Sequence, residues 1–178
     1  LVTHTVILPP APRVDLVVKN LTWTPSNPVS GQSVTFRAVV ANQGTLNADQ
    51  MFWTELYIKP KPSTRPTGPS DHDGGICIND CATYRYEYAQ DIPSLNVGAQ
   101  VFANFENLLA SADSLPDGEY DVYVQVDTAY GGYFGENIYW GMYPEEWESN
   151  NIYHTTLVIE PGDGWGGRVF VPIIFKLH

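Results

Sequence analysis

Apolar and polar positions alternate with a period of two along most of the chain, and clusters of Gly, Pro and Asn cut the alternation into short runs. This is the pattern of half-buried strands. Seven main strands are predicted, at Asp15–Trp23, Ser33–Asn42, Met51–Lys59, Thr83–Gln90, Ala99–Leu109, Glu119–Thr128 and Ile152–Glu160. In the sixth, Tyr120, Val122, Val124 and Val126 alternate with Glu119, Asp121, Tyr123, Gln125 and Asp127. One of its faces is expected to be core and the other acidic and wet. Only Asn104–Asp113 has room for a helical turn or two. The pattern predicts an all-β fold, an immunoglobulin-like antiparallel β-sandwich of about seven strands with two long loop insertions.

The expected sandwich covers residues 14–160, with insertions at 60–82 and 129–151 and tails at 1–13 and 161–178. Both insertions exceed the usual hairpin loop, and long loops on a rigid scaffold are where function concentrates. In the second tail, Arg168–Lys176 reads as an extra edge strand or as a segment that pairs with a neighbour. Leu115-Pro-Asp-Gly-Glu-Tyr120 places a tyrosine just after a tight turn at a strand start. That is the arrangement of a tyrosine corner, in which the Tyr120 phenol bonds back to nearby backbone.

Composition narrows the partners. The chain of 178 residues has 43% hydrophobic and 13% aromatic residues, too apolar for a disordered chain. Its net charge of −11 argues against nucleic acid and against a polybasic membrane surface. The excess acid lies in one block: residues 86–167 hold fourteen acidic and no basic side chains. The longest apolar run, Val169–Phe175, is broken by Pro172 and is far short of the roughly 18–20 residues that cross a bilayer, so no membrane insertion is expected.

Several residue groups invite chemistry. Cys77-Ile-Asn-Asp-Cys81 is the one cysteine pair in the sequence and is expected to close a small disulfide loop in an oxidising compartment. Calcium, which takes six to eight oxygen ligands, is the candidate cofactor. Asp127, Glu136, Asn137, Glu145 and Glu148 flank one loop and form its first ligand set. Asp71, Asp73, Asn79 and Asp80 form a second, which lacks EF-hand spacing because Gly75 falls where a third ligand belongs. Against both stands the reading of a solvated acidic face. Tyr130, Tyr133, Phe134, Tyr139, Trp140, Tyr143 and Trp147 are interleaved with glycines. They either present flat rings to sugars or to a protein partner, or fold over a sheet edge as a satellite core. No nucleophile elbow, zinc-protease helix motif or phosphate-binding glycine loop occurs in the sequence, and Glu145 with Glu148 would serve a glycosidase only across a cleft. No enzymatic activity is expected.

Three stretches carry a family resemblance. The first is Val14-Asp-Leu-Val-Val-Lys-Asn-Leu-Thr-Trp-Thr-Pro25 with Pro28–Phe36 and Val40-Ala-Asn-Gln-Gly-Thr45. The second is Ile92–Gly98 with Gly118-Glu-Tyr120 and Val126-Asp127, and the third is Glu145-Glu-Trp-Glu-Ser-Asn-Asn151. Together they resemble the CARDB family, the cell adhesion related domain found in bacteria. The resemblance implies an immunoglobulin-like, secreted or cell-surface bacterial module, non-catalytic and used for adhesion or as a spacer. Its partners would be an unidentified protein or polysaccharide at the cell surface. The two insertions depart from the family pattern, in which a short acidic loop joins the final strands. The alternative is a carbohydrate-binding module that uses Tyr130, Tyr133, Trp140, Tyr143 and Trp147, assisted by calcium.

Overall fold

The computed structural model describes residues 11–63, 86–108, 115–128, 142–143, 145 and 150–162, with backbone alone at 86–89 and 107–108. Among these residues seven strands form in chain order: β1 (Leu16–Thr24), β2 (Val34–Asn42), β3 (Phe52–Pro60), β4 (Tyr86–Ile92), β5 (Gln100–Leu108), β6 (Gly118–Thr128) and β7 (Ile152–Ile159). They make two antiparallel sheets, one ordered β1-β2-β5 and the other β4-β3-β6-β7. Leu16 sits opposite Asn42, Phe52 opposite Ile92 and Trp53 opposite Thr128. β1, β3, β5 and β7 therefore start at one end of the sandwich, here the entry end, and β7 finishes at the opposite, exit end. The protein is an immunoglobulin-like β-sandwich.

Alternation explains the core. Leu16 and Val18 of β1, Phe36, Ala38 and Val40 of β2, Phe52, Leu56 and Ile58 of β3, and Val122, Val124 and Val126 of β6 point between the sheets and are buried. Full burial of each large apolar side chain contributes about 1.5–3 kcal/mol. At the exit end the Tyr120 hydroxyl donates to the carbonyl of Pro116 at 2.9 Å, the bond a tyrosine corner makes, and this fixes the turn that launches β6.

The two outer faces differ. On the three-stranded sheet the outward Lys19, Thr22, Arg37, Phe102 and Asn104 are exposed, and the Arg37 guanidinium lies over the Phe102 ring at 3.6 Å. On the four-stranded sheet the expectation of a wet face fails. The outward Glu55, Tyr57 and Lys59 of β3 and Asp121, Tyr123 and Gln125 of β6 are all 5% exposed or less. Directly opposed pairs, Glu55 with Gln125, Tyr57 with Tyr123 and Lys59 with Asp121, make a buried polar layer. Tyrosine, lysine and glutamate each carry enough apolar stem to pack while their polar tips bond. Tyr57 donates its hydroxyl to Glu55, and the Lys59 ammonium lies 6.0 and 5.7 Å from the Tyr57 and Tyr123 ring centres.

Candidate functional site

The acidic and aromatic residues singled out in the sequence come together, where they are described, at the entry end. Asp127 is the residue that makes this possible. The β3–β6 register shifts between Trp53 and Thr54, so Asp127 is the extra residue of a bulge, at φ 58. An aspartate tolerates this left-handed conformation better than most residues because its short polar side chain bonds locally. Its two carboxylate oxygens accept the backbone N–H groups of Met142 and Tyr143, each at 2.8 Å. One buried charge thus clamps the returning chain to the end of β6.

Tyr143 completes the clamp. Its ring meets Phe52 edge-on at 6.3 Å, and its hydroxyl donates to the Gln50 carbonyl at 2.9 Å and accepts from the Gln50 amide. Burial pushes the phenol up from its ordinary pKa. The Gln50 amide opposes that rise, and the carboxylates of Asp127 and Asp49 add to it. Tyr143 is therefore a half-buried anchor.

Glu145 and its neighbours bind the start of β1. The Glu145 Oε1 accepts the Leu16 amide at 2.9 Å, and the Asn150 side-chain amide donates to Asp15 at 3.0 Å. The buried Asn42 organises the adjoining turn. Its Oδ1 accepts from the Gly44 amide at 3.0 Å, and its Nδ2 donates to the carbonyls of Leu46 at 2.8 Å and Leu95 at 3.1 Å. Gly44 lies so close to the incoming chain that a Cβ would sit 2.4 Å from the Arg13 carbonyl oxygen. The Asn-x-Gly stretch of the sequence is thus a backbone crossing.

Among the described residues no three His, Cys, Asp or Glu side chains gather to hold a metal. Asp127 and Glu145 both accept bonds from backbone amides, the chemistry of strand ends being tied. Glu136, Asn137 and Glu148, the second calcium set, Cys77 and Cys81, the aromatics Tyr130, Tyr133, Trp140 and Trp147, and the tail at Arg168–Lys176 lie outside the described residues.

Sequence reasoning missed a second polar cluster, at the edge of the buried layer. Asp121 Oδ2 accepts the Ser63 amide at 2.9 Å and the Ser63 hydroxyl at 2.8 Å, and Oδ1 lies 2.9 Å from His154 Nε2. His154 stacks on Tyr123 with ring centres 4.6 Å apart. Burial alone would raise the Asp121 pKa, but the bonds from His154 and Ser63 outweigh it and hold the carboxyl below its ordinary value. The residue types are those of a nucleophilic triad in the wrong order. The carboxylate stands between serine and histidine, so the serine hydroxyl donates to a carboxylate held below its ordinary pKa, a weak base, instead of to an imidazole. The chemistry is anchorage of the chain that follows β3. Its signal in the sequence was the alternation of tyrosines with charges in both β3 and β6, unlike a plain wet face.

Comparison with known proteins follows the same line. The CARDB family profile matches residues 13–130, about two thirds of the chain. No match was found among curated proteins. Similar solved structures include the crystal structure of the CARDB domain of the PF1109 protein from Pyrococcus furiosus in complex with di-metal ions. It is 13% identical with a TM-score of 0.47, over 86% of this chain and 100% of that one. The solution structure of the same domain is 14% identical with a TM-score of 0.43, over 84% and 98%. The β-D-glucoside glucohydrolase of Trichoderma reesei is 13% identical with a TM-score of 0.39, over 82% of this chain and 19% of that one. No helix among the described residues is long and apolar enough to cross a membrane. With its profile match spanning most of the framework and its two sheets in place, the chain belongs to the CARDB family of adhesion-related modules.

Proposed function

We propose that the chain is a non-catalytic, extracellular module that adheres or spaces at a bacterial surface. The observation that carries this reading is the use to which the entry-end residues are put. Asp127, Glu145, Asn42 and Asn150 bond to backbone or to one another's neighbours, holding strand ends in place. The framework also begins at one end and finishes at the other. β6 has 11 residues, which at about 3.3 Å per residue makes the module a rod segment roughly 36 Å long. The test is to label intact cells with antibody and to measure retention of protein-coated beads under flow on polysaccharide and protein surfaces. Surface labelling with retention on either supports adhesion, and labelling without retention supports spacing. Label confined to the cell interior, or turnover of a polysaccharide by the purified chain, would overturn the proposal.

A second reading, calcium-assisted carbohydrate binding by Tyr130, Tyr133, Trp140, Tyr143 and Trp147, is supported by the anchoring of Tyr143, which fixes part of this aromatic run to the sandwich. Retardation in polysaccharide gels that is lost on Trp140→Ala or Trp147→Ala would establish it. Melting curves that superimpose with calcium and with chelator would remove the ion from it.

A further inference from the structure

We infer that the ends of the framework form a mechanical clamp that resists tension applied between the start of β1 and the end of β7. The inference deepens the spacer reading and rests on it. A chain pulled outward at the entry end of β1 and at the exit end of β7 is loaded along its strands. The β1–β2 ladder runs from Leu16 opposite Asn42 to Thr24 opposite Thr35, and the β6–β7 ladder from Gly118 opposite Ile159 to Gln125 opposite Ile152. Ladder bonds in antiparallel sheets lie perpendicular to the strands. Tension along the strands therefore shears a whole row together, and the row shares the force instead of opening one bond at a time.

β1 and β7 lie in different sheets, so ladder bonds alone would leave them joined only through core packing. Backbone ties close that gap. At the exit end Val29 and Glu160 form an isolated parallel bridge. The Glu160 amide donates to Pro28 and the Ser30 amide donates to Glu160, both at 2.9 Å. Gly162 packs so closely there that a Cβ would lie 2.6 Å from the Ser30 carbonyl oxygen. The same turn is tied to the approach of β6, because the Ser30 hydroxyl donates to Leu115 at 3.1 Å. Drawing β7 outward slides it past the chain that continues from β1, so both bridge bonds must break at once. At the entry end the Arg13 carbonyl accepts from Thr45 at 2.7 Å and from Leu46 at 3.0 Å, and the Asp15 carbonyl accepts from Gln43 at 2.8 Å. The Glu145 bond to Leu16 crosses to the stretch that feeds β7. Each terminal strand is thus fastened at the point where tension enters.

Single-molecule stretching tests the clamp. The parent, Glu160→Pro, which removes the amide bonded to Pro28, and Gly162→Ala, which forces the two backbones apart, are pulled through the chain ends. Each is also pulled through cysteines replacing the exposed Leu46 and Val97 at the entry end, a geometry that does not shear the bridge. The expected result is a loss of unfolding force for both variants in the end-to-end direction, with force unchanged in the other. Should Glu160→Pro fail to fold, Gly162→Ala carries the measurement. Equal losses in both directions, or no loss end to end, would overturn the clamp. The surface reading fails separately, by label confined to the cell interior, since the force measurement does not depend on location.

Discussion

Asp127 offers the sharpest test of how the entry end is held. Three substitutions separate its two roles, acceptor of two amides and occupant of a left-handed backbone position. Bonds to a charged acceptor contribute about 1.5–3 kcal/mol each, and a non-glycine residue without a stabilising polar side chain loses about 1–2 kcal/mol at such a φ. Asp127→Asn keeps one oxygen and loses one bond, for a cost of about 2 kcal/mol. Asp127→Gly loses both bonds but relieves the backbone, for about 3 kcal/mol. Asp127→Ala loses both and keeps the strain, for about 4 kcal/mol, near the upper end for a single substitution. Urea unfolding at neutral pH, with m unchanged across the series, gives the three values. Amide exchange at Met142 and Tyr143 should accelerate in Gly and Ala and rise only partly in Asn. If Ala is as stable as Gly the backbone argument is wrong, and if Ala costs under about 1 kcal/mol the two bonds do not hold the clamp.

Other substitutions probe other sites. Gly44→Ala places a Cβ against backbone atoms of Arg13 and Asp15 and should cost about 1–3 kcal/mol by overpacking, read as a lower urea midpoint. Thr54 faces the core with a buried hydroxyl that has no partner among the described residues, so Thr54→Val should stabilise by about 1 kcal/mol, read as a higher melting temperature. Asp121 has a lowered pKa in the folded chain. Its contribution is therefore present above the ordinary carboxylate pKa and lost as pH falls through the lowered one. Asp121→Asn should be less stable than the parent at neutral pH, with the gap shrinking in the acid range; a gap independent of pH would refute the assignment.

Period-two alternation located the strands well because it reads a local property, the face on which each side chain falls. β2 and β6 begin within one residue of expectation and end where predicted, and β4 runs on to Ile92 because that residue pairs with Phe52 at the core edge. Features that depend on distant neighbours were not legible. Burial of Glu55, Tyr57 and Lys59 requires knowing that their outward face is covered; apolar–polar alternation alone is the same for a covered polar face and a wet one, and only the tyrosines set among the charges mark the difference. Asp127 and Glu145 were readable as acidic residues near one loop, but their use as acceptors for Met142, Tyr143 and Leu16 depends on where the chain returns. Asn42 and Gly44 were visible as a turn, while the crossing against Arg13 that demands the glycine was not. The bridge between Val29 and Glu160 joins parts of the chain far apart in sequence and leaves no mark in either.

β6 has a neighbour on each edge, β3 and β7, and is buried on both faces from Tyr120 to Thr128. Its central amides have no local route to solvent, and hydrogen exchange there requires the whole fold to open. Exchange at Val122 to Val126 is accordingly expected to be slow and to serve as a built-in gauge: followed in native buffer, without denaturant, it would return the free energy of the entire sandwich from one strand.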